Sequence, residues 1–297
     1  MEPTIEVLLC TFRRPSLADA IASLAAQELP PGVTMGVIVA DNDDAPSAEG
    51  LLREAAKGFP HPMTYLHAPA RNISVARNAC LDRAVAPWVA FLDDDETAPP
   101  GWIAALWRAA QASGADAVFG PALAAYPTDA PAWISSRDYH TNRPERRGGL
   151  VATGHTCNAL LRWRGTPWEG LRFDLARGTS GGEDTAFFFA AARLGARYAE
   201  APEAVVHEPV EPSRLTFGWL ARRRFRMGQS YASSESGAAG RARLGAMAVG
   251  KALACGGAAA LMLPSKGRRN FWLLRGALHV GVVAGCLSLP EPRAYGG

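Results

Sequence analysis

The chain has 297 residues, of which 48% are hydrophobic and 20% are charged, and its formal net charge is +3. This composition is sufficient for one large α/β domain, or for a domain of about 200 residues with an appendage, and it excludes a wholly disordered chain. The small net charge argues against nucleic acid as a partner, because a protein that follows phosphates presents a concentrated basic face.

The five cysteines are scattered along the chain without a CxxC pair. This pattern indicates reduced thiols and argues against a disulfide framework or a zinc site. The first six residues lack the basic and apolar regions of a signal peptide. We therefore expect the catalytic part to face the cytoplasm.

The first hundred residues alternate short apolar runs with helical patterns. Strands are predicted at residues 5–9, 37–40 and 88–92, and helices at residues 17–24 and 72–86. Ser16 stands where a helix cap is expected. This alternation predicts a parallel sheet covered by helices on both faces, in which ligands bind beyond the carboxyl ends of the strands.

An acidic segment, residues 93–96, follows the third predicted strand directly. Asp93 and Asp95 are two residues apart at a strand end, so their side chains can point the same way and share one hard cation. An ion held by few protein carboxylates leaves room for a diphosphate and neutralises its charge as it leaves. An acidic solvated turn is the alternative interpretation.

Two further segments place charged residues near predicted helix starts. Arg71 and Arg77 lie near the start of the second helix, and arginine there suits a phosphate or a nucleotide edge, or else forms ordinary surface ion pairs. Glu183 and Asp184 follow a glycine-rich turn. A carboxylate there can take a proton from an incoming hydroxyl, although acidic residues also favour the first turn of a helix for electrostatic reasons.

Taken together and in this order, these segments resemble glycosyltransferase family 2, whose members have the GT-A fold. Residues 10–15 resemble the family's Pro-Thr-Tyr-Asn-Arg opening, residues 72–78 resemble its Asn-x-Gly-x-x-x-Ala-Arg-Asn stretch, Asp93 and Asp95 match its DxD motif, and Glu183 with Asp184 matches its Glu-Asp pair. The resemblance covers residues 4–230. Cys10 stands in place of the family's proline and Ile73 in place of its glycine.

The resemblance implies an α/β domain over residues 1–230, with a Rossmann-like nucleotide-binding mixed sheet of GT-A type and helices on both faces. It implies transfer of a sugar, with inversion, from a nucleotide-diphosphate donor to an acceptor hydroxyl, with Mg²⁺ or Mn²⁺ as cofactor. A UDP-sugar is the favoured donor. Analogy with bacterial exopolysaccharide enzymes that add one sugar suggests a glycan or lipid-linked glycan acceptor. The processive synthases of the family carry an Arg-Trp motif late in the chain. Residues 222–229 lack this motif, which argues against a polymerising enzyme.

Site residues follow from the same resemblance. Asp184 is expected to be the catalytic base, and Glu183 to orient the acceptor. The expected donor-binding residues are Thr11, Arg13, Asp41, Arg71, Asn72, Arg77, Asp93 and Asp94, and the expected metal ligands are Asp95, Asp93 and His207. Two alternatives remain: a sugar nucleotidyltransferase, which usually has a glycine-rich loop that residues 9–14 lack, and a non-catalytic membrane-associated scaffold on the same fold.

The C-terminal part changes character after a small-residue linker at residues 233–240. Two apolar stretches, residues 244–263 and 271–289, have about the length of a membrane span. Lys251, Arg275 and His279 within them are costly in hydrocarbon. We therefore expect residues 241–290 to form a helical hairpin that makes peripheral contact with the inner face of the cell membrane. A buried helical hairpin or an oligomer contact is the alternative.

Overall fold

The computed structural model describes residues 4–147, 150–233 and 237–289. The strands are β1 Ile5–Thr11, β2 Met35–Asp41, β3 Met63–His67, β4 Trp88–Leu92, β5 Ala117–Phe119, β6 Ala122–Ala125, β7 Glu145–Arg147, β8 Leu150–Thr153, β9 Asn158–Arg162, β10 Tyr198–Glu200 and β11 Val206–Pro209. The helices are α1 Leu17–Ala25, α2 Glu49–Ala56, α3 Ile73–Arg83, α4 Trp102–Ser113, α5 Ala132–Ser135, α6 Glu183–Arg193, α7 Phe217–Ser233, α8 Ala238–Leu261 and α9 Lys266–Cys286, with a 3₁₀ turn at Pro212–Arg214.

The central sheet has seven strands in the order β10-β5-β9-β4-β1-β2-β3. Strands β4, β1, β2 and β3 are parallel to one another, whereas β9 runs antiparallel to both of its neighbours, β4 and β5. The predicted mixed sheet is therefore confirmed. From β1 the chain first continues to β2 on one side and later returns to β4 on the other. Such a switch point opens a crevice at the carboxyl edge of a sheet.

Apolar side chains alternate between the two faces of this sheet, as the period of a strand requires. On β1, Val7 and Leu9 belong to the cluster covered by α1, α2 and α4, whereas Leu8 belongs to the cluster covered by α3 and α6. Helices therefore cover both faces, as predicted. Because both faces are buried, the parallel strands β1 and β2 consist almost wholly of buried residues.

The predicted elements of the first hundred residues agree with the structure, apart from their ends. Strand β4 occupies the predicted residues 88–92. Ser16 directly precedes α1, but its side chain makes no capping hydrogen bond, so that part of the prediction is wrong. Helix α3 ends at Arg83, before the predicted residue 86, because the buried carboxylate of Glu6 accepts hydrogen bonds from the amides of Val85 and Ala86 outside the helix.

Helices α8 and α9 both begin earlier than predicted, at Ala238 and Lys266. The predicted linker lies partly outside the described residues, and its last three residues belong to α8. The last residue predicted for the hairpin, residue 290, also lies outside them. Helix α9 packs against α7 as well as α8: a Cβ on Gly281 would lie 1.9 Å from the carbonyl oxygen of Phe225, so the backbones of α7 and α9 touch.

Helix α8 is long and apolar enough, by length and composition, to cross a membrane: its most apolar 18-residue segment has a mean hydropathy of 1.5. Only 17% of that segment is buried inside the protein. Its Leu253 and Leu261 are 72% and 81% exposed. The side of α8 that faces away from the protein therefore exposes an apolar surface.

Candidate active site

The carboxyl edge of the parallel strands holds several of the predicted donor residues. Thr11 ends β1, Asp41 ends β2 and Asp93 follows β4. Asp41 is fully buried, and its carboxylate accepts hydrogen bonds from the amide of Ala48 at 2.7 Å and the hydroxyl of Tyr65 at 3.2 Å. Asp41 therefore fastens the start of α2 and strand β3 to the sheet, and the expected role of Asp41 in donor binding stays a prediction.

Two ion pairs stand on the rim of this edge. Arg13 holds Asp43 through two hydrogen bonds of 2.8 Å, which lower the pKa of Asp43 to about 2. Arg71 pairs with Asp44 at 2.6 Å. Both arginines have positive φ, 54° and 47°. Non-glycine residues adopt this conformation at a cost in free energy, and such residues cluster at binding sites.

Asn72 is the N-cap of α3, and its side-chain oxygen accepts from the amide of Ser74 at 3.0 Å. Its own amide donates to Oδ1 of Asn42 at 2.5 Å, which ties the start of α3 to the end of β2. Gly178 lies against the same side chain: a Cβ there would come within 1.8 Å of Oδ1 of Asn72. The structure thus places Asn72 as a residue that positions α3.

Several oxygen atoms in and beside the acidic segment after β4 lack a hydrogen-bond partner. Partial burial raises the pKa of Asp93 to about 7, a rise that Arg77 opposes, and burial raises the pKa of Asp94 to about 6. Oδ2 of Asp94, Oε1 of Glu96 and Oγ1 of Thr11 are buried without a hydrogen-bond partner. Buried polar atoms rarely lack partners, so these orphaned atoms fit a site whose missing partners come from a ligand.

Asp95 lies 3.3 Å from Arg214 and 3.7 Å from Arg14. Arg214 also pairs with Glu208 at 2.6 Å, which brings another carboxylate to the acidic segment. The sequence indicated neither Arg214 nor Glu208, because both come from a distant segment without a local motif. The neighbouring His207, a predicted metal ligand, has an exposed side chain, and its backbone pairs with that of Thr97.

Arg77 is the fifth residue of α3, and its side chain is buried inside the protein. It forms an ion pair with Glu183, lies 3.7 Å from Asp93 and stacks over the ring of Phe173, with 5.5 Å between the guanidinium carbon and the ring centroid. Burial raises the pKa of Glu183. Arg77 therefore connects the acidic segment after β4 with the carboxylates at the start of α6.

Asp184 accepts a hydrogen bond from Nδ1 of His155 at 3.1 Å. Burial raises the pKa of Asp184, but the hydrogen bond and charge of His155, with the charge of Arg77, lower it to about 2. The left-handed glycines 181 and 182 make the turn before Asp184. His155 was not among the predicted site residues, because it is 29 residues away from Asp184 in the chain and belongs to no recognised motif.

One cavity of about 720 Å³ connects these groups. Asp93, Glu183, Asp184 and His155 line one part of it. A large part of the remaining wall comes from α7, α8 and α9. The cavity thus runs from the carboxyl edge of the sheet to the C-terminal helices.

Within residues 4–147, 150–233 and 237–289, no group of three or more His, Cys, Asp or Glu side chains is arranged to hold a metal ion. Asp93 and Asp95 nevertheless provide the hard oxygen ligands that Mg²⁺ and Mn²⁺ prefer. The orphaned oxygen of Asp94 lies between them in the chain. These residues fit an ion that takes its remaining ligands from a bound diphosphate.

Comparison with known proteins gives the family. The family model described as "Glycosyl transferase family 2" matches residues 6–164. The succinoglycan biosynthesis protein ExoM of Rhizobium meliloti strain 1021 is 45% identical over 295 residues, which cover 98% of this chain and 96% of that protein.

Two solved structures share the fold at low sequence identity. The mannosyltransferase PcManGT from Pyrobaculum calidifontis, in complex with GDP-Man and Mn²⁺, is 19% identical with a TM-score of 0.66, over 96% of this chain and 87% of that one. TarS from S. aureus is 14% identical with a TM-score of 0.53, over 78% of this chain and 42% of the TarS chain, so this protein matches less than half the length of TarS. The extent of the family model and the identity to ExoM show that the chain belongs to glycosyl transferase family 2 and is a glycosyltransferase.

Proposed function

We propose that this enzyme transfers one sugar from a nucleotide-diphosphate donor, with a UDP-sugar favoured, to a hydroxyl of a lipid-linked or polysaccharide intermediate, with inversion at the anomeric carbon. The observation that carries the proposal is that Asp93 and Asp184 line the same cavity. A donor diphosphate at the edge of the sheet and an acceptor hydroxyl at the start of α6 would meet there. Family membership selects this activity over the nucleotidyltransferase and the non-catalytic scaffold.

On the donor side, the ends of β1 and β4 offer buried oxygens that lack partners, those of Thr11 and Asp94. We propose that Arg13 and Arg71, which lie at the rim of the same edge, help to bind the nucleotide of the donor. Asp95 and Asp93 would hold Mg²⁺ or Mn²⁺ on the diphosphate. When bound, such an ion neutralises the charge that develops on the leaving diphosphate. The Mn²⁺ in the structure of PcManGT supports this choice of cofactor.

On the acceptor side, Asp184 takes the proton of the attacking hydroxyl. Its low pKa keeps the carboxylate ionised at neutral pH, so it is ready to accept a proton. The hydroxyl oxygen forms the new bond to the anomeric carbon as the bond from that carbon to the diphosphate oxygen breaks. Glu183, held by Arg77, orients the acceptor or its neighbouring groups.

The C-terminal helices and the similarity to ExoM support a proposal for where the reaction takes place and on which acceptor. ExoM is named as a succinoglycan biosynthesis protein, which supports an exopolysaccharide intermediate as the acceptor. The exposed apolar side of α8 supports peripheral contact with the inner face of the cell membrane. We therefore propose a cytoplasmic enzyme that works at the membrane surface on a membrane-borne acceptor.

The test measures release of the nucleoside diphosphate from a panel of UDP- and GDP-sugars without acceptor, in Mn²⁺ or in EDTA. We expect release from one donor, its loss in EDTA, and a fall of about 100-fold in Asp95→Asn, because an ion on the leaving group contributes several kcal/mol. Asp129→Asn removes an exposed carboxylate elsewhere and should behave as wild type.

The same assay can reject the proposal. Release that is equal in Mn²⁺ and EDTA, or unchanged in Asp95→Asn, would exclude the proposed role of the acidic segment. Absence of release from every donor, together with absence of nucleotide binding, would exclude the proposed donor class.

A further inference from the structure

The part of the cavity that lies against the C-terminal helices differs from the catalytic part. Its wall combines basic groups with apolar side chains, namely Arg226, Lys251 and His279 with Leu244, Met247 and Val282. The carboxylates of the cavity, Asp93, Glu183 and Asp184, all come from the strand edge and the start of α6. We call the basic and apolar part the distal half of the cavity.

The cations of the distal half are not neutralised by the protein. Across the described ranges, which omit residues 1–3, 148–149, 234–236 and 290–297, neither Arg226 nor Lys251 forms an ion pair or a hydrogen bond. Burial and the charges of Lys251 and Arg275 lower the pKa of His279. Arg226 is half-buried and Lys251 is exposed, and like charges on the wall of one cavity repel each other. This repulsion is relieved when an anion binds between them.

The apolar side chains of the distal half come mainly from α8 and α9. On α8 the lining residue Met247 is itself 52% exposed, so the apolar wall reaches the surface of the helix. A ligand that satisfies both the cations and the apolar wall has an anionic head and a long apolar chain. A free polysaccharide end has neither of these parts.

We infer that the distal half binds the phosphate or diphosphate head of a lipid-linked acceptor through Arg226 and Lys251, with the lipid chain leaving along α8. This inference rests on the proposed function, which it extends by naming the groups that recognise the acceptor lipid. The saccharide attached to that head would extend through the cavity towards Asp184. The head group thus holds the acceptor hydroxyl near the base, and the enzyme selects lipid-linked saccharides over free ones.

The experiment measures binding of farnesyl diphosphate to the full chain by titration calorimetry in detergent micelles. Because a hydrogen bond to a charged group contributes more than a neutral one, Arg226→Gln and Lys251→Gln should each weaken binding by about tenfold or more. Lys251→Arg keeps the charge and should bind as wild type. Arg243→Gln is the matched control, since Arg243 is also a basic residue of α8 but does not line the cavity.

Three further ligands distinguish the source of the anion. Farnesol should bind much more weakly than farnesyl diphosphate, and neither UDP nor phosphatidylglycerol at the same concentration should displace the diphosphate. Equal binding of farnesol would overturn the inference, because the apolar wall alone would then hold the ligand. Displacement by UDP would overturn it, because the diphosphate would then bind at the donor site. Displacement by phosphatidylglycerol would overturn it, because the site would then accept any anionic lipid.

Equal affinity of Arg226→Gln, Lys251→Gln and wild type, with thermal unfolding midpoints unchanged, would also overturn the inference. The assay contains no sugar donor and no metal. Its failure is therefore distinguishable from failure of the proposed transfer reaction, which is judged by nucleoside diphosphate release from the wild-type enzyme.

Discussion

The hydrogen bond between His155 and Asp184 sets the state of the proposed base. His155→Ala removes both the bond and the charge that keep the pKa of Asp184 at about 2 against burial. A base must be ionised to accept a proton, so the acidic limb of the pH profile of kcat should move to higher pH. Loss of the hydrogen bond that positions the carboxylate should also lower kcat by about 10- to 100-fold at neutral pH.

His155→Asn serves as the conservative variant, because its side-chain amide can donate from near the position of Nδ1. We expect it to recover much of kcat and to restore the acidic limb. Equal loss in both variants would show that the imidazole itself takes part in proton transfer and does more than position Asp184. An unchanged pH profile in His155→Ala would show that the bond has no influence on the base.

At the residue scale, a site residue could be predicted only where the feature that marks it lies close by in the chain. Asp93 and Asp95 were found because they directly follow a strand, and Glu183 with Asp184 because they follow a glycine turn. Arg214 is 119 residues away from Asp95 in the chain, and no local pattern marks such an ion pair. The burial of Asp41 could not be predicted from the sequence either, because its partners, the amide of Ala48 and the hydroxyl of Tyr65, reach it only in the folded chain.

The contact between α7 and α9 depends on glycines that let the two backbones touch. A Cβ on Gly281 would lie 1.9 Å from the carbonyl oxygen of Phe225, and one on Gly228 would lie 2.1 Å from that of Leu278. Backbone atoms cannot move aside as side chains can. Gly281→Ala should therefore push the helices apart and lower the free energy of unfolding by about 1–3 kcal/mol, measured by urea unfolding of the full chain.

Gly256→Ala is the matched control within the helical part. Gly256 lies in α8, and a Cβ there would have no atom within 4 Å. Since alanine is the better helix former, this substitution should leave stability unchanged or raise it by up to about 1 kcal/mol. If Gly281→Ala proves as harmless as Gly256→Ala, the close crossing of α7 and α9 does not contribute to stability.

At the element scale, helices were easier to identify than their ends. The segment rich in Gly, Ala and Ser before residue 241 predicted a linker, yet α8 begins within it at Ala238, because alanine favours a helix once the chain packs. Strands β5, β6 and β10 are only three or four residues long. Their pairing joins distant parts of the chain, and so short a run has no distinctive period.

At the scale of the whole molecule, one cavity joins the edge of the sheet to the C-terminal helices. The cavity has Asp93 on its wall at one end and residues of α8 on the wall of the distal half. The fold class was predictable because the order of motifs is specific to the family. The connection between the catalytic part and α8 was not, because it depends on how α7 and α9 pack.

This arrangement predicts that α8 attaches the enzyme to lipid. Binding of the full chain to vesicles of phosphatidylcholine and phosphatidylglycerol, measured by co-sedimentation, should weaken by about tenfold for each of Leu253→Gln and Leu261→Gln, because burying a leucine contributes about 1.5–3 kcal/mol. Leu175→Gln is the control, since Leu175 is 56% exposed but lies between β9 and α6. Equal binding of all three variants would contradict attachment through α8. Weakening confined to the α8 variants would support attachment of the enzyme to the membrane surface through α8.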